Sequence, residues 1–224
     1  MTGAARSVVV TGGTTRLGKV VADALERGGW RVVRTSHREG VGADVVVDLS
    51  REGGADALFA SAVALLGRAP DALVNNAALF AGDDEDLESV NLRAPLRLMD
   101  LMSECGGAVV NVLDCRVTGE GFVPKNAYER TKRELYVRTL SPKRGVRVNG
   151  VAPGPVLVPV AVREKAGECP LGRPTAESVA AAVEYLLSAV YTTGCVIPVD
   201  GGQGGATAAV TLTSTDAQSF ALDS

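Results

Sequence analysis

The feature that most constrains the fold is an alternation, kept up over almost the whole chain, between short valine-rich runs and longer amphipathic runs. The seven valine-rich runs are SVVVTG, RVVRTS, ADVVVDL, DALVNNA, GAVVNVLD, VRVNGVAPG and CVIPVDGG, bounded by Gly, Asp, Asn or Pro. Runs of this kind are typical of strands covered on both faces, as in a parallel sheet. The sequence therefore predicts an α/β fold with a doubly wound, mainly parallel seven-stranded sheet.

The runs between the predicted strands have the period of amphipathic helices. Leu17, Val21 and Leu25 share one face of the first, and DLESVNLRAPLRLMDLMSE, NAYERTKRELYVRTL and TAESVAAAVEYLLSA repeat the pattern. The stretch 155–174 has four prolines and little periodicity, so we expect a long loop beside the site. We interpret residues 1–205 as one domain and 206–224 as a tail that either frays or packs on a neighbouring subunit.

Composition excludes several classes of protein. A formal charge of -3 over 224 residues, without a lysine or arginine run, argues against a nucleic-acid partner. The one histidine and four cysteines contain no C-x-x-C pair, so we expect no metal site and no disulfide framework. No apolar run reaches the roughly 18 residues of a membrane span, and MTGAARSVVV is too weakly apolar for a signal peptide. We therefore expect a cytoplasmic protein.

The segment TGGTTRLGK connects the first predicted strand to the first helix, where phosphate-binding loops lie. Counted from Gly13, the segment is similar to the phosphate-binding loop of nucleoside triphosphatases. That loop needs a Ser or Thr after its lysine to bind magnesium. Val20 follows Lys19 instead. Counted from two residues earlier, it fits a dinucleotide-binding turn, with Gly12 in the tight turn and Gly18 where helix amides approach the pyrophosphate. We therefore predict a dinucleotide site.

The residues after the second predicted strand indicate which dinucleotide binds. An NAD-binding protein normally places an acid there for the ribose 2′-hydroxyl. This chain has His37 and Arg38, which suit a 2′-phosphate and favour NADPH, although Glu39 is an awkward neighbour for a phosphate. Asp48, after the third strand, has two interpretations: it accepts a hydrogen bond from the adenine amine, or it is a simple turn or cap aspartate.

The segment YERTK places Tyr128 and Lys132 four residues apart, on one face of a predicted helix. A free tyrosine has a pKa near 10 and is a poor acid–base group at neutral pH. A nearby lysine ammonium stabilises the phenolate and lowers that pKa. The pair is then able to deliver a proton to a substrate as hydride arrives.

Six ordered motifs between Ser7 and Gly202 together resemble the short-chain dehydrogenase/reductase family: TGGTTRLG, NNA, VNLRAP, YERTK, RVNGVAPGPV and VIPVDGG. The resemblance implies a single Rossmann domain, an oxidoreductase chemistry and a homotetramer. It assigns catalysis to Tyr128 and Lys132, with Asn91 orienting the lysine through a water. The NADPH contacts that we expect on this basis are Gly12, Thr15, Arg16, Leu17, Gly18, His37, Arg38, Asp48, Leu49, Asn76, Ala77, Tyr128, Lys132, Pro153, Gly154 and Val156.

Two positions depart from the common pattern of the family. Arg16 replaces the second glycine of the loop, and Asp114 replaces the serine that usually polarises a ketone. Both departures are similar to the pteridine reductase branch, which also has His and Arg after the second strand and an aromatic residue at the spacing of Phe80. Ala78 differs from that branch, which has a serine there.

The departures indicate reduction of a C=N bond, which places a proton on nitrogen and often passes through a cation. A carboxylate stabilises such a cation, and burial is expected to raise the pKa of Asp114 so that it relays a proton with Tyr128. Phe80 and the nicotinamide would sandwich a flat heterocycle. Arg16 would lie between the pyrophosphate and the substrate ring, as a cation and a donor.

Three functions remain open at this stage. The first is an NADPH-dependent reductase of a C=N bond in a flat or cyclic substrate, with a dihydropteridine as first candidate. The second is a related cyclic imine reductase or ketoreductase of specialised metabolism. The third is a catalytically silent NADPH sensor, against which the intact Tyr128, Lys132 and Asn91 count.

Overall fold

The computed structural model describes residues 5–141, 143–156 and 169–204. The expected tail at 206–224 and most of the expected 155–174 loop lie outside the described residues. Seven strands form one sheet in the order β3-β2-β1-β4-β5-β6-β7, and every neighbouring pair is parallel. The strands are β1 Ser7–Val10, β2 Arg31–Ser36, β3 Val45–Val46, β4 Ala72–Asn75, β5 Ala108–Val112, β6 Arg147–Pro153 and β7 Val196–Val199. All seven predicted strands are thereby confirmed.

Helices cover both faces of the sheet, which is why its strands are apolar on both sides. They are α1 Arg16–Arg27, α2 Gly54–Leu66, α3 Asp84–Glu88, α4 Ala94–Cys105, α5 Ala127–Leu140 and α6 Ala176–Ser188. One face packs against Leu58 of α2, Leu98 of α4 and Leu135 of α5. The other packs against Leu25 of α1 and Val183 of α6.

Two features differ from the sequence patterns. Helix α2 was not singled out, because its segment GADALFASAVALL is apolar or small nearly throughout and shows little contrast between faces. The predicted helix DLESVNLRAPLRLMDLMSE is divided into α3, a π-helical turn at Ser89–Arg93, and α4. Such turns occur often at functional sites, and this one contains Asn91.

The strand order reverses between β1 and β4, which are neighbours in the sheet although far apart in the chain. In open parallel sheets, ligands bind in the crevice at such a reversal, outside the carboxyl ends of the strands. The helices in the described part of the chain are too short or too polar to span a bilayer.

Candidate active site

Hydrogen bonds join the two loops that leave β1 and β4 and form the base of the crevice at this strand reversal. Thr11 is buried, and its hydroxyl accepts from the backbone amides of Asn76 and Ala77 at 2.9 Å each. The Asn76 side-chain amide donates to the Thr11 carbonyl at 2.9 Å and to the Gly12 carbonyl at 3.4 Å. These bonds fix the position of the glycine loop relative to the NNA segment.

The start of α1 is held close to this loop because Gly18 lacks a side chain. A Cβ atom at Gly18 would lie 2.1 Å from the Gly12 carbonyl oxygen and 2.4 Å from the Asn76 amide nitrogen. The structure therefore gives Gly18 a packing role against the loop, in addition to the expected approach to the pyrophosphate. Gly12 has a φ of +63°, which glycine adopts without strain.

The residues at this helix end fit a dinucleotide. Thr15 is the N-cap residue of α1, but its side chain makes no capping hydrogen bond. First-turn amides have no partner within their own helix, and together with the helix dipole they favour an anion. The pyrophosphate of a nicotinamide dinucleotide would be held there, next to Leu17. Lys19, by contrast, pairs with Asp23 on the helix surface at 2.6 Å.

Arg16 begins α1 in an unusual backbone conformation, with a φ of +49°. It is the one non-glycine residue with positive φ among the residues that the structure describes. A branched or long side chain in this region costs on the order of 1–3 kcal/mol, which explains why related loops use glycine. The side chain is exposed at the mouth of the crevice.

The residues expected at the adenosine end lie on the surface beyond β2 and β3. His37 and Arg38 are exposed, and the Arg38 Nε donates to the His37 Nε2 at 3.1 Å. The Asp48 carboxylate accepts from the amide and the hydroxyl of Ser50 at 2.9 and 2.8 Å, which supports its interpretation as a turn aspartate. Leu49 is half-buried beside it.

Among the residues expected to contact the nicotinamide, Pro153 is the last residue of β6 and is buried. Gly154 follows, where a Cβ atom would lie 2.9 Å from the Cα of Asp200. Val156 is half-buried, and its amide donates to the Gly154 carbonyl at 2.8 Å. This tight turn continues the carboxyl edge of the sheet.

Asp114 and Tyr128 are brought together from different elements. Asp114 follows β5 and caps a short 3₁₀ turn at Cys115–Val117. Tyr128 lies in the first turn of α5, whose start is fixed by the Asn126 side chain accepting from the Glu129 amide. The Tyr128 hydroxyl donates to Asp114 Oδ2 at 3.0 Å.

The second partner of Asp114 is Arg116. The Arg116 Nε donates to Oδ1 at 3.0 Å, its Nη2 donates to Oδ2 at 2.7 Å, and its backbone amide donates to Oδ1 at 3.0 Å. Burial alone would raise the pKa of Asp114, but these contacts outweigh it and hold the pKa below its ordinary value. The expectation that burial raises this pKa is therefore wrong, and the proton relay between Asp114 and Tyr128 stays a prediction.

The phenol also differs from expectation. Burial, followed by the Asp114 charge, raises the pKa of Tyr128 above that of a free tyrosine. Lys132 is 3% exposed, and its ammonium donates to the Val112 carbonyl at 2.9 Å. Burial lowers the pKa of Lys132 to about 8. The expected lowering of the Tyr128 pKa by Lys132 is thus not met in this arrangement, since the carboxylate is the phenol's immediate partner.

Asn91 connects the π-helical turn to the loop after β4. It is fully buried, its Oδ1 accepts from the Leu79 amide at 2.8 Å, and its Nδ2 donates to the Leu79 carbonyl at 2.8 Å. Phe80, which follows Leu79 in the chain, stacks on Tyr128 with ring centroids 4.8 Å apart while remaining 71% exposed. Asn91 therefore positions the aromatic residue that covers the phenol.

Two residues of this site were missed in the sequence. Arg116 lies two residues after Asp114, a spacing with no known motif, and its contact depends on the 3₁₀ turn. The sequence pattern places Thr11 in the loop motif but does not indicate that its hydroxyl bonds to the residues after β4. The sequence signal for this contact is the pair of motifs TG and NNA, which end two strands that become neighbours in the sheet. Within the described residues, no three His, Cys, Asp or Glu side chains are arranged to hold a metal ion.

Comparison with known proteins agrees with this geometry. A family model described as enoyl-(acyl carrier protein) reductase matches residues 14–203. Ketoacyl reductase 2 of the granaticin polyketide synthase, from Streptomyces violaceoruber, is 33% identical over 87% of this chain and 94% of its own length. The chain is a short-chain dehydrogenase/reductase. It is therefore an oxidoreductase of a family that uses nicotinamide cofactors.

Other relatives of this short-chain dehydrogenase/reductase act on varied substrates. L-xylulose reductase of Bos taurus is 31% identical over 89% of this chain and 96% of its own length. Among solved structures, the 3-alpha-hydroxysteroid dehydrogenase of Pseudomonas sp. B-0831, complexed with NADH, gives a TM-score of 0.81 at 25% identity, covering 92% of this chain and 99% of that one.

The FolM alternative dihydrofolate reductase 1 of Brucella suis, in complex with NADP, gives a TM-score of 0.74 at 27% identity. The match covers 89% of this short-chain dehydrogenase/reductase and 95% of that chain.

Proposed function

We propose that this enzyme is an NADPH-dependent reductase of a C=N bond in a flat or cyclic substrate, with a dihydropteridine of the dihydrobiopterin or dihydrofolate type as first candidate. The observation that carries the proposal is the Asp114 carboxylate, 3.0 Å from the Tyr128 hydroxyl. An ionised carboxylate cannot donate a hydrogen bond to a ketone oxygen, and it repels the negative charge that hydride addition builds there. A C=N nitrogen is basic and can be protonated before the hydride arrives, so hydride addition then cancels a positive charge, which a nearby carboxylate stabilises, and builds no negative charge.

The bound cofactor supplies a hydride, and the protein supplies the proton and the geometry. Tyr128 donates its hydroxyl proton to the lone pair of the substrate nitrogen, and as the hydride adds to carbon the π electrons of the C=N bond become the lone pair of the product amine. Asp114 orients the phenol, and Lys132 adds positive charge from the buried side. Phe80 provides an aromatic surface for a flat ring at the entrance. Likeness to the Brucella alternative dihydrofolate reductase supports this substrate class.

The cofactor proposal assigns the pyrophosphate to the first turn of α1 and the 2′-phosphate to His37 and Arg38. We further propose that Arg16 reaches from the pyrophosphate toward the substrate, a role that its positive φ supports because strained residues concentrate at functional sites. Asn76, Ala77 and Leu49 are assigned to the adenosine side, where Asp48 shapes the turn through its hydrogen bonds with Ser50. Pro153, Gly154 and Val156 are assigned to the nicotinamide side.

Replacing Arg38 with Ala is expected to raise the Kd for NADPH roughly tenfold or more, since a hydrogen bond to a charged group contributes about 1.5–3 kcal/mol. The Kd for NADH should change little. Fluorescence titration with both cofactors measures this. Arg27→Ala, which removes an exposed guanidinium at the other end of α1, is the control. Equal weakening of both cofactors would remove the 2′-phosphate role.

Replacing Asp114 with Ser restores the hydroxyl that ketone reductases use, so we expect C=N reduction to fall by at least about tenfold while any ketone reduction falls less or rises. The kcat/KM values for one cyclic imine and one ketone, measured on the same preparation, give the ratio. If both activities fell alike, the aspartate would be structural.

A substrate screen tests the function as a whole. Steady NADPH oxidation with dihydrobiopterin or dihydrofolate supports the leading proposal. Turnover only with cyclic imines or ketones supports a reductase of specialised metabolism, which the 33% identity to a polyketide ketoacyl reductase favours as the second candidate. Tight NADPH binding without turnover of any substrate supports a sensor.

We propose that the protein assembles as a homotetramer in the cytoplasm. Helix α5 and the helix next to it would form the subunit contact. Size-exclusion chromatography with light scattering measures the subunit number directly. A mass of about four chains supports the proposal, and a stable monomer contradicts it.

A further inference from the structure

Arg116 is the charged residue of the site that the proposed mechanism does not yet use. Its guanidinium forms a two-point contact with Asp114 and lies 5.9 Å from the centre of the Tyr128 ring. The Asp114 side chain is 11% exposed, whereas that of Arg116 is 56% exposed. A largely buried carboxylate is therefore neutralised by a cation that reaches it from the solvent side.

The Asp114 carboxylate accepts as many hydrogen bonds as its two oxygens have lone-pair positions. Each oxygen accepts two: Oδ1 from the Arg116 amide and Nε, and Oδ2 from the Arg116 Nη2 and the Tyr128 hydroxyl. A carboxylate has about four lone-pair positions for such bonds. Asp114 is thus saturated by its own protein, and a substrate would contact Tyr128 without needing a free oxygen of Asp114.

We propose that Arg116 is a positioning and specificity-determining residue, which keeps Asp114 a hydrogen-bond acceptor and thereby keeps Tyr128 the proton donor. The inference rests on the proposed function in one respect, the preference for C=N over C=O. A neutral aspartic acid would donate a hydrogen bond to a ketone oxygen, as a serine hydroxyl does. By holding Asp114 ionised, Arg116 denies the site that donor and disfavours ketones.

The titratable and charged groups that face Asp114 come from two elements. Arg116 lies on its own 3₁₀ turn, and Tyr128 and Lys132 lie on α5. Cys115, the next residue, keeps a neutral thiol because burial raises its pKa to about 12. Lys132 bonds to the Val112 carbonyl, so Arg116 is the cation in direct contact with the carboxylate. Removing it leaves burial as the dominant influence, which favours the protonated acid.

The first experiment measures ionisation without substrate. In the full chain labelled with ¹³C at aspartate carboxyl carbons, the Asp114 signal is assigned by its loss in Asp114→Asn and followed from pH 3 to pH 8. We expect Asp114 to stay ionised over most of this range in the unmodified protein. In Arg116→Met the midpoint should rise by about one to three pH units, so that the titration falls within this range. Arg116→Lys keeps the charge and should restore most of the original behaviour.

The matched control is Arg138→Met. Arg138 has a side chain 57% exposed and an ion pair with Glu134 at 2.7 Å, further along α5. Its removal should leave the Asp114 signal unchanged. An Asp114 carboxyl that titrates identically in Arg116→Met and in the unmodified protein, with both proteins folded by thermal melting, overturns the proposal.

The second experiment measures selectivity. The ratio of kcat/KM for a cyclic imine to that for a ketone should fall at least about fivefold in Arg116→Met as the pH is lowered from 8 to 5, because the raised midpoint lets Asp114 become a donor toward the acid end of this range. The ratio should stay flat in the unmodified protein and in Arg116→Lys. A flat ratio in Arg116→Met, with a shifted Asp114 midpoint, contradicts the specificity role alone. Absence of imine turnover in the unmodified protein contradicts the proposed function, while the carboxyl titration still tests Arg116.

Discussion

Replacing Tyr128 with Phe is expected to lower kcat by about 10²–10⁴-fold, the usual contribution of a positioned acid or base. The change removes the hydroxyl that donates to Asp114 at 3.0 Å but keeps the ring that stacks on Phe80. The aromatic contact is therefore preserved, and the loss reports the proton donor. Steady-state kinetics with the best substrate of the screen measures kcat, and fluorescence titration measures the Kd for NADPH, which should change less than about threefold.

The control for this variant is Tyr136→Phe, two turns along the same helix. Tyr136 contacts Arg133 through its ring face, at 5.0 Å, so removal of its hydroxyl leaves that contact in place. Its kcat should stay close to that of the unmodified protein. Unchanged turnover in Tyr128→Phe would remove the tyrosine from the mechanism and leave the protonation step without a donor.

Replacing Gly18 with Ala should impair both cofactor binding and stability. The new methyl group would lie 2.1 Å from the Gly12 backbone oxygen and 2.4 Å from the Asn76 side-chain nitrogen, which is itself held by hydrogen bonds to the Thr11 and Gly12 carbonyls. Forcing extra volume into such a contact costs about 1–3 kcal/mol. For a chain of this size, about 2 kcal/mol corresponds to a fall of roughly 4–8 °C in Tm. Because α1 must move away from the loop, the Kd for NADPH should rise about tenfold or more.

Calorimetry gives the Tm, and cofactor titration gives the Kd. Gly119→Ala is the matched control, because a Cβ atom there meets no other atom within 4 Å. It should leave both values unchanged. An unchanged Kd in Gly18→Ala would show that the close approach of α1 to the loop does not serve the cofactor.

Electrostatic features of the site illustrate what a sequence leaves open. The pairing of Asp114 with Tyr128 followed from two ordered motifs, since a strand end and a helix start meet at the same edge of a parallel sheet. The protonation states of Asp114 and Tyr128 could not be predicted from the same motifs. Burial and Arg116 act on the pKa of Asp114 in opposite directions, and their balance depends on distances of 2.7 to 3.0 Å. No local pattern in DCRV encodes those distances.

The sequence by itself determined the architecture: seven valine-rich runs became seven parallel strands, because a strand buried on both faces must be apolar along its whole length. It also determined the family, through ordered motifs that depend on spacing within single elements. Only the tertiary structure decided the partners of Asp114, the packing of Gly18 against Gly12, and the stacking of Phe80 on Tyr128. Most of these contacts join residues of different elements, and the energies of all of them depend on burial and distance, which exist only once the chain has folded.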